Sequence, residues 1–367
     1  MRTIRRLIYR EVLAAVVFVA VGFLALFFFF DFVDELPNIG KGVSAYRLTQ
    51  ALAYVALMVP NHLYELLPIA VLIGTIFVMA RLAQSSEYTI LRTSGLGPWR
   101  ALRTLLALGL MFTVVTFATG DYLSPAADRA AQLLKARVDG RISTGQTGAW
   151  LKERQPLHSY NVNVKALTPD GDLQGVRIFE SNDRGLLVSV TQAARARFAE
   201  DGAWMLENVE RSDFHTSGTQ ESRVERRSLP SLRWPTEILP EMVSVALLKP
   251  DRMGTIDLFQ YINHLQANGQ TSQRYEIEFW RKVFYPLSCI VMVVLALPFA
   301  YLHFRTGGLT SYVFGGVLIG ISFFLLNNVF GYIGNLQNWR PWLTAAAPGL
   351  IYSMLSLGAF GWLVLRR

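Results

Sequence analysis

Apolar residues gather in six long blocks, at 12–30, 60–80, 101–120, 283–301, 309–330 and 343–365, and the chain between the third and fourth blocks follows a different rhythm. Each block is near the roughly 20 residues that a helix needs to span the hydrocarbon core of a bilayer. The pattern predicts six transmembrane helices. The first is no cleavable signal, because residues 27–30 carry it to full spanning length and no small-x-small site precedes Asp31. Ahead of the second block, Leu48, Leu52, Val55 and Val59 recur at helical spacing with Arg47 and Gln50 between them. That spacing predicts an interfacial helix over 44–59 and a fresh start at Pro60.

From residue 145 the period falls to two. Segments 159–167, 173–180, 186–198, 203–214 and 221–232 read as strands, separated by the turn sequences Thr168-Pro169-Asp170-Gly171, Asn182-Asp183-Arg184-Gly185 and Ala199-Glu200-Asp201-Gly202. The alternation Ala194-Arg195-Ala196-Arg197-Phe198 gives one apolar face and one wet face. Helices flank the strands, over 125–136, over 255–268 with Gly269 as the stop, and from about 272 into the fourth block. The fold class expected is an α-helical membrane protein with six transmembrane helices and an all-β, jelly-roll-like domain inserted between helices 3 and 4. Its parts are 1–120, 121–275 and 276–367.

Composition and charge give this path a direction. The 367 residues are 52% hydrophobic and 17% charged, the balance of a membrane protein. Arg2, Arg5, Arg6 and Arg10, then Arg81, Arg92, Arg100 and Arg103, then Arg305, then Arg366 and Arg367 all fall on one side of a six-span path. By the positive-inside rule that side is cytosolic, both termini with it, and the insert lies outside. The net charge of +8 is partly this topogenic arginine and is no sign of nucleic acid. The single cysteine, Cys289, sits within a span and leaves the insert to be held by its core.

One cytosolic stretch carries its own helix signals. Residues 84–98 read Q-S-S-E-Y-T-I-L-R-T-S-G-L-G-P, with Ser85 or Ser86 as N-cap, Glu87 in the first turn, and Gly95 and Pro98 at the close. With no cytosolic domain on the chain, input from inside the cell has to arrive through a surface of about this size, a docking helix.

Polar groups inside the spans have two readings each. Glu65, with Asn61 and His62 near the outer end of span two, is either a proton or substrate site or a carboxylate reaching headgroup water. Arg281 and Lys282 at the outer mouth of span four either meet an anionic headgroup or anchor the helix at the interface. Gly315, Gly316 and Gly320 in span five permit close helix contact, and Asn327 and Asn328 need partners if buried. Catalytic and cofactor signatures are missing: there is no G-x-x-x-x-G-K-[ST], H-E-x-x-H or C-x-x-C, and the five histidines are scattered. No catalytic residue, metal site or bound cofactor is expected on this chain, so any nucleotide is hydrolysed elsewhere.

A family resemblance enters with longer runs. F-V-D-E-L at 32–36, V-P-N at 59–61, L-L-P-I-A-V-L-I-G at 66–74, A-R-L-A-Q-S-S-E at 80–87 and T-S-G at 93–95 resemble the lipopolysaccharide-export permeases, the LptF/LptG family. G-A-W at 148–150, L-K-P-D at 248–251 and Y-x-x-x-x-W-R-K-x-F-x-P-L-S at 275–288 extend the likeness over nearly the whole chain, nearer to the G-type branch.

The resemblance implies a half-transporter of a Gram-negative inner membrane. A homologous LptF-type chain would face it, and a cytosolic LptB-type ATPase dimer using ATP and Mg²⁺ would dock below. An LptC-type periplasmic jelly-roll protein with one membrane helix would join the insert by edge-strand addition and take on the lipopolysaccharide. It implies an ATPase-coupling set of Ser86, Glu87, Tyr88, Leu91, Arg92 and Gly95, with Glu87 as the acidic contact. It implies a lateral gate between spans one and five, at Phe23, Phe27, Phe30, Gly316, Gly320, Phe324 and Asn327. Family members can carry basic residues at the outer end of span one, where this chain has Asp31, Pro37 and Asn38. The substrate candidates are therefore Asp31, Asp34, Lys41, Arg47, Glu65, Arg281 and Lys282, with the sister chain or a bridging divalent ion as further sources of positive charge.

Two other classes compete. A membrane-anchored receptor or scaffold would use the insert to bind a partner, but it normally needs a signalling domain inside. An ion-coupled transporter would need several charges at the bilayer midplane, and Glu65 stands alone near one end.

Overall fold

The computed structural model describes residues 2–40, 46–139, 148–155, 158–168, 171–199, 202–216, 222–240, 242–243, 250–301 and 309–362. Internal packing divides the chain into two units, Met1–Asp34 with Val55–Ala127 and Gln273–Arg367, and Glu35–Tyr54 with Asp128–Ser272.

The first unit is helical. Among the described residues five helices are long and apolar enough to cross a membrane, and the count reaches six when a helix pair bent by 46° is taken as one broken span. Helix α1 covers Arg2–Glu35, and α2 covers Leu48–Gln84 with Pro60 and Pro68 inside it. The separate interfacial helix expected over 44–59 is thus corrected: Ala51, Val55 and Met58 are buried in the same run, and the helix continues through Pro60. After the short α3 (Glu87–Thr93), helix α4 (Pro98–Ala118) passes through a π turn at Thr119–Leu123 into α5 (Ser124–Asp139).

The fourth span is broken. Helix α7 (Gln273–Phe284) stops, and α8 (Ser288–Ala296) continues through a 3₁₀ turn at Leu297–Tyr301. Pro286 has no N–H to donate, and the amides of Leu287, Ser288, Cys289 and Ile290 turn to carbonyls three residues back at 3.0–3.1 Å. Arg281 and Lys282 therefore lie inside the first half of a bent span, a turn before its break. Helices α9 (Leu309–Leu336) and α10 (Pro341–Phe360) complete the unit. Small residues bring backbones together here: a Cβ on Gly74 would meet the backbone of Val16 at 2.7 Å, and one on Gly109 would meet the Cα of Ile290 at 3.0 Å.

The second unit holds a six-stranded antiparallel sheet with helix α6 (Thr255–Ala267). Its strands are β1 (Ala149–Arg154), β2 (His158–Leu167), β3 (Leu173–Asn182), β4 (Leu187–Phe198), β5 (Ala203–Thr216) and β6 (Ser222–Pro235). The all-β insert is present with simpler connectivity than a jelly roll: strand order follows the sequence from β1 to β6. Backbone bonds from Thr168 to Asp172, Asn182 to Leu186 and Ala199 to Ala203 close hairpins, and connections so short can only join neighbours. The six-residue β1 was not among the expected strands.

The core is Leu151, Val162, Val164, Val176, Ile178, Trp204, Leu206 and Val209, with the Trp204 indole donating to the Ile238 carbonyl at 2.7 Å. Strict alternation fails along one line across the sheet. Leu173 and Val176, Ala193 and Ala196, and Leu206 and Val209 are all buried, so each strand switches the parity of its inward positions. The switch falls at Gly175 and Asn208, both with positive φ, on either side of Ala194. Glycine and asparagine are the residues that reach this left-handed conformation most readily. The expected pairing of Ala194 with Ala196 on one face is broken there: Ala196 is buried and Ala194 exposed.

Candidate functional site

Helix α3 has seven residues, too short to stand alone in water, so its buried contacts fix its place. Ser86 occupies the N-cap position, but with φ 59° and no side-chain cap bond; its carbonyl receives the amides of Thr89 and Ile90. Ser86 is thus the N-cap, as one of the two expected serines, but without a side-chain bond to the helix. The other end matches the expectation. Gly95 has φ +100°, its amide reaches the Arg92 carbonyl and that of Leu96 reaches Leu91, both at 3.0 Å. This is a Schellman ending, completed by packing of Leu91 and buried Leu96 in one cluster.

The coupling set therefore divides by face. Tyr88 is buried, Leu91 half-buried, and Gly95 shapes the turn, whereas Ser86, Glu87 and Arg92 are exposed. Ile90, 62% exposed, and Trp99, 61% exposed, add apolar surface that was not singled out from the sequence. Tyr88 turns inward: its hydroxyl donates to that of Tyr301 at 3.2 Å, the rings meet edge to face at 5.2 Å, and Arg92 lies 5.2 Å from the Tyr301 ring. Burial, then the neighbouring Tyr301, push the Tyr88 phenol up from its ordinary pKa.

Five of the residues expected at a gate meet α2. Phe23 and Phe27 of α1 and Phe324 of α9 pack against Leu66, Ile69 and Ile73. Gly316 and Gly320 face the same helix, where a Cβ would come within 2.8 Å of Ile76 and Ile69 side-chain atoms. Phe30 is 54% exposed, while Asn327 is buried. The glycine pair in span five thus serves a helix contact with α2.

The substrate candidates separate. Asp31 accepts a hydrogen bond from His62 at 2.6 Å, and the Phe27 ring lies tilted against the same imidazole with centroids 4.9 Å apart. Asp34 and Arg47 are exposed, and Lys41 lies outside the described residues. The Glu65 carboxylate accepts from Asn61 at 3.1 Å, Asn61 accepts from Ser124 at 3.1 Å, and the Tyr285 hydroxyl donates to the Glu65 carbonyl. Arg281 pairs with Glu278 at 2.9 Å and donates to Asn328 at 3.3 Å. It lines a cavity of about 380 Å³ with Arg274, Ile277, Asn328 and Tyr332. Lys282 turns the other way and is buried, its Nζ donating to the Gly120 carbonyl at 2.8 Å beside the Tyr64 ring. Adjacent in sequence, the two cations serve different helices. Ser124, Tyr64 and Tyr285 escaped the sequence reading because their partners lie far along the chain.

These features define a polytopic membrane protein that carries an inserted antiparallel sheet and a short helix exposed between its second and third crossings. The profile of the lipopolysaccharide export system permease LptF/LptG family matches residues 6–366, and the chain belongs to that family. Among its relatives is the lipopolysaccharide export system permease protein LptG of Escherichia coli K12, 28% identical over 339 residues, which cover 92% of this chain and 90% of the relative. The protein of the same name from Haemophilus influenzae Rd is 26% identical over 368 residues, covering 100% of this chain and 99% of its own length.

Proposed function

We propose that this chain is the LptG-type permease subunit of an ATP-driven exporter that lifts lipopolysaccharide from the inner membrane of a Gram-negative cell. Family membership and near-complete coverage of relatives named for lipopolysaccharide export support the substrate. The observation that carries the coupling is α3: a short helix held by one buried tyrosine, with Glu87 and Ile90 left facing solvent. A separate ATPase dimer holds the ATP and Mg²⁺ and docks on that face, a homologous LptF-type chain completes the path, and the LptC-type bridge protein takes up the lipid. The arginine distribution supports cytosolic termini and a periplasmic insert. The functional parts in this reading are 1–120, 121–275 and 276–367, with the lipid entering between α1 and α9.

The test is purification of the chain from its native membrane in mild detergent, with identification of every protein recovered. A nucleotide-binding ATPase together with a second six-span chain supports the reading. Recovery of the chain alone, repeated after crosslinking, overturns it in favour of an anchored receptor or scaffold.

A further inference from the structure

The only fully buried side chain of α3 ends on the broken span. Tyr88 meets Tyr301, the last residue of the 3₁₀ turn that continues α8, through both rings and both hydroxyls, and Arg92 covers the same ring. Above this contact, Leu295, Leu297 and Ala300 are buried in the same cluster as Tyr88, so the lower half of span four and its base are packed together. The lower half is also seated on α4, where Gly109 lets Ile290 approach and Thr116 lies 3.2 Å from the Cys289 sulfur. Above it the helix is interrupted at Tyr285-Pro286-Leu287. The Thr113 hydroxyl has the Pro286 carbonyl at 3.1 Å and the Gly109 carbonyl at 2.9 Å, two acceptors for a single proton. That donor can follow the break in either of two positions without leaving the helix end unsatisfied.

We propose that Tyr88 and Tyr301 form the joint that carries a displacement of α3 into the lower half of span four, with the break at Pro286 as its hinge. The inference rests on the proposed ATPase docking at α3. The load path follows from packing. A push on the exposed face of α3 meets the Tyr88 ring first, and Tyr88 packs on Tyr301 with both side chains buried. An unbroken helix would carry the push straight through to Arg281 and Lys282. The 46° bend instead lets the lower half swing while α7 keeps its own contacts. Tyr88 and Tyr301 are positioning residues in this scheme, touching neither nucleotide nor lipid.

The experiment uses the full complex in proteoliposomes with lipopolysaccharide, and reads lipid delivered to the bridge protein per ATP hydrolysed. Tyr88→Phe and Tyr301→Phe keep both rings and remove one hydroxyl each. Each is expected to lower that ratio about fivefold, the scale of one lost hydrogen bond, with the double variant no worse than either single. A ratio equal to wild type in both variants overturns the joint, as does a double variant whose deficit is the product of the two singles. A parallel fall in hydrolysis and delivery, with the ratio kept, also overturns it, because the residues would then serve docking alone. Should one variant fail to assemble, the other carries the ratio test by itself. A wild-type complex without ATP-dependent delivery is a different failure, overturning the proposed function from which this inference starts.

Discussion

The imidazole Nε2 of His62 lies 2.6 Å from a carboxylate oxygen of Asp31, and the two residues come from α2 and α1, the helices that also meet where Val16 abuts Gly74. A carboxylate can only accept, so the proton of this bond sits on Nε2. At the other end of the same helix pair Arg81 reaches Glu11 at 2.6 Å. Helix α1 is therefore pinned to α2 at both ends. In the proposed gate, α1 either carries α2 with it or breaks these two contacts. The bond accounts for an acid at the outer end of α1: Asp31 serves the helix pair. Asp31→Asn and His62→Gln are each expected to lower stability on the order of 1 kcal/mol, non-additively in the double variant. Thermal unfolding of the four proteins in detergent checks this, and additive losses would remove the link.

Glu87 faces solvent at the start of α3, where a carboxylate also favours the helix terminus. Glu87→Lys is expected to leave the chain folded and monodisperse while sharply lowering co-purification of the ATPase. Normal recovery of the ATPase with this variant would end the docking role of Glu87.

What the sequence made legible was whatever repeats locally. Six apolar blocks, the hairpin turns ending in Gly171, Gly185 and Gly202, and the Gly95 helix stop all follow from short-range rules, and each stands where it was expected. The misses depend on distant partners. Nothing near Lys282 says that a π turn at Thr119–Leu123 leaves a carbonyl within its reach. Nothing near Ala194 says that Gly175 and Asn208 on neighbouring strands will shift the inward parity of the sheet. Pro60 and Pro286 show the limit of a local rule, because one is absorbed into a continuous helix and the other breaks its span.

Close approach of α1 and α2 yields a comparison. A methyl at Gly74 meets the backbone of Val16 at 2.7 Å, whereas a methyl at Gly320 meets side-chain atoms of Ile69, the Cγ2 nearest at 2.8 Å. Backbone cannot yield without moving a helix, whereas Ile69 can shift its Cγ2, at a smaller cost set by the stiff χ1 of a β-branched side chain in a helix. Gly74→Ala is expected to cost about 1–3 kcal/mol and Gly320→Ala distinctly less. Midpoint temperatures of the two variants decide the order, and a more damaging Gly320→Ala would show that the α2–α9 contact is the tighter one.

His264 of α6 supplies a pH dependence. Burial holds its pKa below the usual value of about 6.5, with Glu153 and Glu237 opposing the shift more weakly. The unfolded chain then binds the proton more readily. The His264 contribution to stability is complete above about pH 6.5 and is lost as pH falls toward the lowered folded value. Unfolding midpoints of the full chain measured from pH 8 to pH 5 are expected to drop, and His264→Gln to flatten part of that drop. Parallel curves for the two proteins would remove His264 as the cause.

Lys282 separates a structural from a substrate role most sharply. Had it met a lipid phosphate at the outer surface, its ammonium would be reachable and its removal would weaken lipid binding without harming the fold. Instead its Nζ is buried and donates to the Gly120 carbonyl at 2.8 Å, where the π turn displaces the helical bonding pattern. The Tyr64 ring packs over the same site, so close to Gly120 that a Cβ there would overlap it at 2.3 Å. Lys282→Met keeps most of the side-chain volume and removes the donor, leaving a buried carbonyl short of a partner at about 1–3 kcal/mol. The variant is expected to unfold at a lower temperature while, once folded, binding lipopolysaccharide as wild type does. Arg281→Met provides the contrast, since Arg281 lines the cavity between α7 and α9. Lipid binding lost in Lys282→Met at unchanged stability would return Lys282 to the substrate path and place the π turn's carbonyl with some other donor.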